Sequence, residues 1–511
     1  MQSGIIHSTS SFDKRFYLLA IIAGALSVFA FAPFNVYLIA WITPAVLFYT
    51  LSNAQSSKQH FYLGWLFGIG YFAAGASWPF YSIYFFAHAP LAAAIIGVAL
   101  FVIIVAFFTL GLFGLVAAQF KQLSLMSRLL FFYPATWVLF EWFRAWFLTG
   151  FPWLYLGNTQ IDTVFAAYAP IFGVLGVSLI CVMVAGAVLY LVHDRLSNNS
   201  LSFLPIAVIV LVTLCAFGLE KIDWTKKIGD PINVAVLQSN ISQEEKLNPD
   251  NLQSMIDLYL EMTHQNLQSD LIVWPETALF DTFNKHMESL ILPLQKSLRE
   301  RQMVLIGGFF INKDNAVENS VLAVSKNYRE LYSKRHLVPF GEYIPLAKYI
   351  RWMGDWIPRS NINAGKPEKG TLQIIDQLAQ MTICYEDAFG SEIIKSLPDA
   401  TLLINVTHDG WFTGSFQPAQ HMQIARMRSL ETGRYMVRAT TTGPAGIINE
   451  KGKVLATAKQ YTQKVITHNV QAYTGATPYV RWGNWLIVSI LTLVTLLGFI
   501  INRKNKKHGN T

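Results

Sequence analysis

Charge is scarce in this chain. Only 14% of its 511 residues are Asp, Glu, Lys or Arg, against roughly 25% in ordinary globular proteins. Disordered chains and nucleic-acid-binding tails need far more. Cysteine is scarcer still. Cys181, Cys215 and Cys384 cannot build a disulfide framework. Neither an HExxH zinc pair nor a GxxxxGK(S/T) phosphate loop occurs, so no motif implies a metal, ATP or other cofactor. What is abundant is apolar. Hydrophobic residues make up 53% and the mean hydropathy is +0.36. This composition excludes a purely soluble enzyme and points to an integral membrane protein.

The apolar residues are grouped. No charged residue occurs in Phe16–Leu51, Phe61–Phe120, Thr163–Val192, Leu201–Leu219 or Trp482–Asn502. A spanning helix needs about 20 apolar residues. The first run holds two spans broken near Pro33, and the second two broken near His88-Ala89-Pro90. Leu129–Leu148 adds one that carries Glu141 and Arg144. The total is eight transmembrane helices.

Loop charge sets the orientation. With a cytoplasmic N-terminus, the inner segments hold Lys14, Arg15, Lys58, Lys121, Arg128, Arg195, Arg503, Lys504, Lys506 and Lys507. The short outer loops near 34–36, 85–90 and 149–162 hold no Lys or Arg. Both termini are therefore expected inside, and the polar segment of about 221–480 outside. The division is 1–220 for seven helices, 221–480 for an outer domain, and 481–511 for the eighth helix and tail. The net charge of +8 then reflects membrane orientation, not a nucleic-acid partner. Lys14-Arg15 and Ala30-Phe31-Ala32 resemble signal-peptide features, but the apolar run continues past them. Gly64, Gly68, Gly70 and Gly75 read as helix-packing positions. Glu141 and Arg144, three apart, can pair or place the arginine near lipid phosphate.

From Pro231 the periodicity changes. Strands are expected at 232–237, 271–274, 304–306, 380–384, 401–405, 436–440, 444–449 and 453–457, with a strand signal at Leu331-Tyr332. Helices are expected at 244–267, 284–300 and 418–433. Such alternation predicts a sheet covered by helices. Glu276, Lys334, Cys384 and Asn405 all fall at or just beyond strand ends, where one sheet edge brings them together.

Cys384 is the best nucleophile candidate. A free thiol has a pKa of about 8.5 and is a few per cent thiolate at pH 7. Full ionisation at that pH costs about 2 kcal/mol. Glu276 would serve as the base if burial raises its pKa. Lys334 would stabilise thiolate and oxyanion. The plain alternative for a cysteine is a small buried hydrophobe. A rival Cys–His–Asn arrangement has His336, His408, His421 and Asn405 available, although His408-Asp409 also suits a loop hydrogen-bond network.

Three strings carry a resemblance: Trp274-Pro275-Glu276-Thr277-Ala278, the run YSKRHLVPFGE from Tyr332 to Glu342, and Ile383-Cys384-Tyr385-Glu386. Together they resemble the nitrilase, or carbon–nitrogen hydrolase, superfamily. With eight spans around them, residues 16–500 resemble its membrane-bound apolipoprotein N-acyltransferase family. Phe31-Ala32-Pro33-Phe34, Gly150-Phe151-Pro152-Trp153 and Ala425-Arg426-Met427-Arg428 match as well. Two positions depart from the family pattern. Leu247 stands where Trp is usual, and His408 where Asn is usual.

The resemblance implies an αββα sandwich domain and a Glu276–Lys334–Cys384 triad. It implies that Glu342 positions Lys334 or assists acid–base work, with a loop ion pair as its plain alternative, that Glu386 anchors the Cys384 turn and that Tyr385 shapes an acyl pocket. The implied reaction moves an acyl chain from the sn-1 position of a phospholipid to Cys384. The chain then passes to the α-amine of diacylglyceryl-cysteine on an apolipoprotein. The expected partners are that phospholipid, the diacylated apolipoprotein and membrane lipid, with no obligate protein partner. The expected location is the bacterial cytoplasmic membrane with the domain in the periplasm. An amidase using water as acceptor shares the triad, and an inert lipoprotein-binding component is the non-enzymatic alternative. Trp411 and Phe412, with Trp352 and Trp356 of an apolar arm at 340–365, are candidates for substrate contact or a lid.

Overall fold

The computed structural model describes residues 13–345, 362–368 and 370–508. Trp352 and Trp356, and most of the expected apolar arm, lie outside the described residues. Helices cover Leu91–Phe120, Val164–Ser197 and Trp485–Lys506, each long and apolar enough to cross a membrane. Arg15–Ala30, Ile39–Ser52 and Phe203–Leu219 are apolar but shorter. Helix length and composition alone therefore do not reproduce the expected eight spans. The charge-free runs overstate helix length because they include irregular connections such as Phe31–Leu38. Leu18, Ile96, Leu214 and Leu493 are each more than half exposed, an apolar outer face suited to lipid.

The helix Ser57–Gly75 lies deep in this bundle. A Cβ on Gly64 would collide with the Leu110 carbonyl oxygen, and one on Gly70 with that of Ile21. These glycines are where neighbouring helices touch. Glu141 and Arg144 are both buried, so the arginine does not face lipid. They also make separate contacts instead of an ion pair. Glu141 Oε1 accepts from Leu156 N at 2.9 Å and Trp137 Nε1 at 3.2 Å. Arg144 donates to the carbonyls of Trp153 and Leu154. The two side chains hold the irregular 153–156 backbone, which has no helix to satisfy it.

The rest of the chain forms two six-stranded sheets. One has the order β12 (Lys464–Thr474), β1 (Lys226–Gln238), β2 (Leu271–Val273), β3 (Met303–Ile311), β4 (Val317–Ser325), β5 (Arg329–Ser333). The other has the order β11 (Val454–Thr457), β10 (Gly446–Ile448), β9 (Met436–Thr440), β8 (Leu402–Thr407), β7 (Gln377–Ile383), β6 (Thr371–Ile374). Val236, Val273 and Leu305 of the first sheet meet Met381, Ile404 and Val437 of the second in one core. Leu252–His264 packs its buried Met255, Ile256 and Tyr259 on the outer face of the first sheet. Gln417–Thr432 covers the second. The layers are helix, sheet, sheet, helix. Strands β4, β6 and β12 add to those expected. The expected helix at 244–267 is two helices, Gln243–Leu247 and Leu252–His264, interrupted at Asn248-Pro249 because proline cannot continue the ladder.

Gln417–Thr432 is buried on nearly every side. Toward the bundle, Gln420 accepts from Trp153 Nε1 at 2.7 Å and donates to the Gly75 carbonyl at 3.1 Å. Arg426 grips Asp162 with both terminal nitrogens. Glu431 accepts the amide of Val174, just after Gly173 interrupts its helix at φ +66°. A carboxylate thus caps a broken helix inside the protein.

Candidate active site

Strands β1, β2 and β3 run parallel, as do β7, β8 and β9. β5 pairs antiparallel with β4, and β4 with β3, so β5 points the same way as β2. Glu276 and Lys334 therefore leave the same edge of the first sheet. Cys384 leaves β7 and His408 leaves β8 on the second. Ligands in such sheets gather at the carboxyl ends of strands.

Glu276 sits in a turn beyond β2. Thr277 has φ +47°, a strained value for a branched residue. The turn lies flat on β3 at Gly307, where a Cβ would strike the Pro275 carbonyl oxygen. Lys334 is buried, with Nζ 2.8 Å from Glu342 Oε1 and 3.9 Å from Glu276 Oε1. Asn319, on β4, joins the two carboxylates. Its Nδ2 donates to Glu276 Oε1 at 2.8 Å and to Glu342 Oε1 at 3.3 Å. Cys384, partly buried, has φ +52° at the strand-to-helix turn. Glu386 fixes that turn. It accepts from Ile383 N and Arg335 N at 2.7 Å, His336 N at 3.0 Å and the Tyr332 hydroxyl at 2.7 Å. One carboxylate so links the thiol's turn to the lysine's loop.

The electrostatics follow from burial. Desolvation pushes the Glu276 carboxyl up, against the pull of Lys334. Desolvation and the nearby Glu276 charge push the Cys384 thiol up, and Lys334 opposes them. Burial disfavours the Lys334 charge, but Glu342 and Glu276 outweigh it and hold the ammonium above the ordinary lysine range. The site therefore holds a buried ammonium beside a thiol and a Glu276 carboxyl whose ionisation burial opposes.

Beneath Cys384 lies a second charged cluster. Arg438 donates to Asp387 at 3.3 Å, Asp409 at 3.1 Å and Asn405 at 2.7 Å. His421 spends both ring nitrogens on Asp387 and Asp409, at 2.8 and 2.9 Å. Burial opposes ionisation of Asp409, yet Arg438 and His421 hold its carboxyl well below the usual range. Asn405 Nδ2 also donates to the Cys384 carbonyl at 3.2 Å. His336 Nδ1 is engaged by Glu392 at 2.8 Å, and His408 Nε2 by Gln243. These contacts make the histidines and Asn405 parts of the scaffold instead of a Cys–His–Asn relay.

Tyr385, Trp411 and Phe412 face the bundle. The Tyr385 hydroxyl donates to the Gly150 carbonyl at 3.1 Å, and its ring stacks on Trp153. Phe412 packs edge-on against Trp78, and Trp411 against Phe86. Asn319 was not among the residues singled out by sequence, and neither was Arg438. Neither lies in a motif, and Asn319 belongs to an unexpected strand.

Residues 233–479 match the family described as carbon–nitrogen hydrolase, and residues 23–187 that described as the apolipoprotein N-acyltransferase N-terminal domain. A protein named apolipoprotein N-acyltransferase from Methylococcus capsulatus is 39% identical over 494 residues, 96% of each chain. The chain belongs to the apolipoprotein N-acyltransferase family. Other apolipoprotein N-acyltransferases, from Coxiella burnetii and Nitrosomonas europaea, are 35% and 37% identical over 94% of this chain and 99% and 97% of their own. Like them, this is an acyltransferase built on the nitrilase-like fold, and its apolar helices make it a membrane protein. The carbon–nitrogen hydrolase match spans Glu276, Lys334, Glu342, Cys384 and Glu386.

The Asn319 contact gives a pH prediction. Its hydrogen bond favours the ionised form of Glu276. In Asn319→Leu the carboxyl should rise further and stay protonated over more of the pH range. The acid limb of the single-turnover rate should move to higher pH, with recovery on the alkaline side. An unmoved limb would mean that Glu276 is not the group that titrates.

Proposed function

We propose that the protein completes lipoprotein maturation by a two-step acyl transfer through Cys384. The carrying observation is the buried Lys334 ammonium, held 2.8 Å from Glu342 and 3.9 Å from Glu276 beside a thiol on a strained turn. Glu276 takes the thiol proton as Sγ attacks the sn-1 ester carbon of a phospholipid. The S–C bond forms, the ester C–O bond breaks, and the proton passes to the departing lysophospholipid hydroxyl. The α-amine of diacylglyceryl-cysteine on an apolipoprotein then attacks the thioester. Glu276 accepts the amine proton, the C–S bond breaks and Cys384 recovers its proton. Lys334 faces the oxyanion in both steps. Exchanging a thioester for an amide is downhill and needs no ATP.

The setting accords with this chemistry. Both substrates are lipids, and the Tyr385–Gly150 and Tyr385–Trp153 contacts keep the thiol's turn against the apolar bundle. In this reading the helices of 1–220 and 481–511 lie in the cytoplasmic membrane with both ends inside. Residues 221–480 then face the periplasm. Trp411 and Phe412 border the approach from the bilayer.

Intact mass spectrometry after incubation with one defined phospholipid tests the proposal. The expected result is a single acyl mass on the Cys384 peptide, released by hydroxylamine and discharged onto an added diacylated lipopeptide amine. Hydrolysis of an amide substrate with no acyl adduct from phospholipid would replace this reading with a water-dependent amidase.

A further inference from the structure

One buried cation has no part in the reaction above. Lys246 lies in the last turn of the short helix Gln243–Leu247, whose start is fixed by a Ser242–Glu245 capping box. Its side chain is 3% exposed. Among the described residues no carboxylate lies within ion-pair distance of it. Nζ instead donates to the Glu276 carbonyl at 3.2 Å and to the Thr277 hydroxyl at 2.6 Å. The ammonium also sits 5.6 Å from the centre of the Phe280 ring. All three contacts belong to the turn that presents the catalytic carboxyl, where Thr277 is strained.

An unpaired buried ammonium is expensive, and its replacement by an apolar side chain often stabilises a fold. Such a group persists at sites where its charge acts on something. We propose that Lys246 is a positioning residue: it pins the Glu276–Thr277 turn and adds a second positive charge beside Glu276 and Cys384. The turn's strain then has a visible restraint, since its backbone and hydroxyl both accept from one donor. Lys334 reaches the carboxylates from the β5 side, and Lys246 reaches the same turn from the β1 side.

The surroundings set how this charge responds to pH. Glu276 comes from the β2 end, Cys384 from the β7 end and His408 from the β8 end. Burial drives the Lys246 ammonium down to about 7, with Glu276 and Cys384 resisting. Burial and Lys246 together keep His408 neutral, against the pull of Asp409. The Lys246 charge is therefore present below about pH 7 and fades above it. Its help to the Glu276 carboxylate and the Cys384 thiolate follows the same course.

The inference rests on the acyl-transfer reading for its meaning, but its test needs no lipid substrate. Full-length protein in detergent is treated with iodoacetamide across pH 5.5–9, and alkylation of the Cys384 peptide is followed by mass spectrometry. In Lys246→Gln, alkylation at pH 6 should be slower than wild type by about 3- to 10-fold, the effect of a half-unit to one-unit shift. The two rates should converge above about pH 8, where the wild-type lysine is itself neutral. Lys246→Arg, which keeps its charge throughout, should hold its advantage over Lys246→Gln at alkaline pH. Should Lys246→Gln fail to accumulate, Lys246→Met fills the same volume without charge. Superimposable wild-type and neutral-variant profiles would overturn the proposal, even with a lowered melting temperature. Failure of phospholipid to acylate wild-type Cys384 would overturn the acyl-transfer reading and leave this result standing.

Discussion

Replacement of Cys384 by alanine is expected to abolish the acyl adduct and to lower turnover by at least about 10^3-fold. No other thiol can substitute. Cys181 is buried within the helical bundle, and Cys215 lies exposed on the apolar helix Phe203–Leu219. The fold should tolerate the change, because the turn is held by Glu386, Asn405 and Asp387 and not by the thiol. Melting temperature should therefore stay near wild type while activity disappears. Cys384→Ser separates chemistry from shape. Any acyl chain it accepts would be an oxygen ester, discharged slowly to the amine and resistant to neutral hydroxylamine. Wild-type turnover in the alanine variant would move the nucleophile elsewhere.

The second large effect is expected at Lys334. Lys334→Met should lower the acylation rate by about 10^2- to 10^3-fold, the usual loss when one oxyanion donor goes. It should also cost stability, because Glu276 and Glu342 then share a buried space with no cation between them. Breaking a buried pair of this kind costs about 3 kcal/mol or more. The sign with pH is definite. Without the Lys334 charge the Glu276 carboxyl would be raised further in the folded variant, so the penalty appears where the unfolded carboxyl ionises. It should be large at pH 7.5 and shrink toward pH 5 as the Glu276 carboxyl takes up a proton. Thermal denaturation of wild type and variant at the two pH values measures it. An equal deficit at both would show that Lys334 contributes packing instead of charge.

The legible parts of this protein were those with a strong local signal. Glu276, Lys334 and Cys384 each follow a short apolar strand, and their residue types suit one reaction. The expected single sheet edge is in fact two: Glu276 and Lys334 leave the first sheet together because β2 and β5 run the same way, and Cys384 leaves β7 of the second sheet packed against it. Strand β12 was missed because His468, Asn469 and Gln471 break its apolar pattern. Asn319 was missed with β4, since a lone Asn in a half-polar strand carries no motif. Lys246 carried no signal, because sequence does not reveal that a lysine in a polar helix is buried. Glu141 and Arg144 suggested an ion pair by spacing. Their true partners are backbone groups of the loop that follows them and, for Glu141, the Trp137 indole.

The helix Gln417–Thr432 bears on how this architecture can be taken apart. A surface helix of a globular domain needs one apolar stripe and leaves the other side to water. Here the other side carries Gln420, Gln423, Arg426 and Glu431, each committed to a group in the bundle. Excising residues 221–480 would strand those side chains and bare Ala388, Phe389, Ile424 and Met427, which share the bundle's core. The enzyme is thus not a soluble module on a removable anchor. Its two halves are expected to unfold as one cooperative unit, and shedding by a protease between them would release inactive, sticky fragments in place of a diffusible hydrolase.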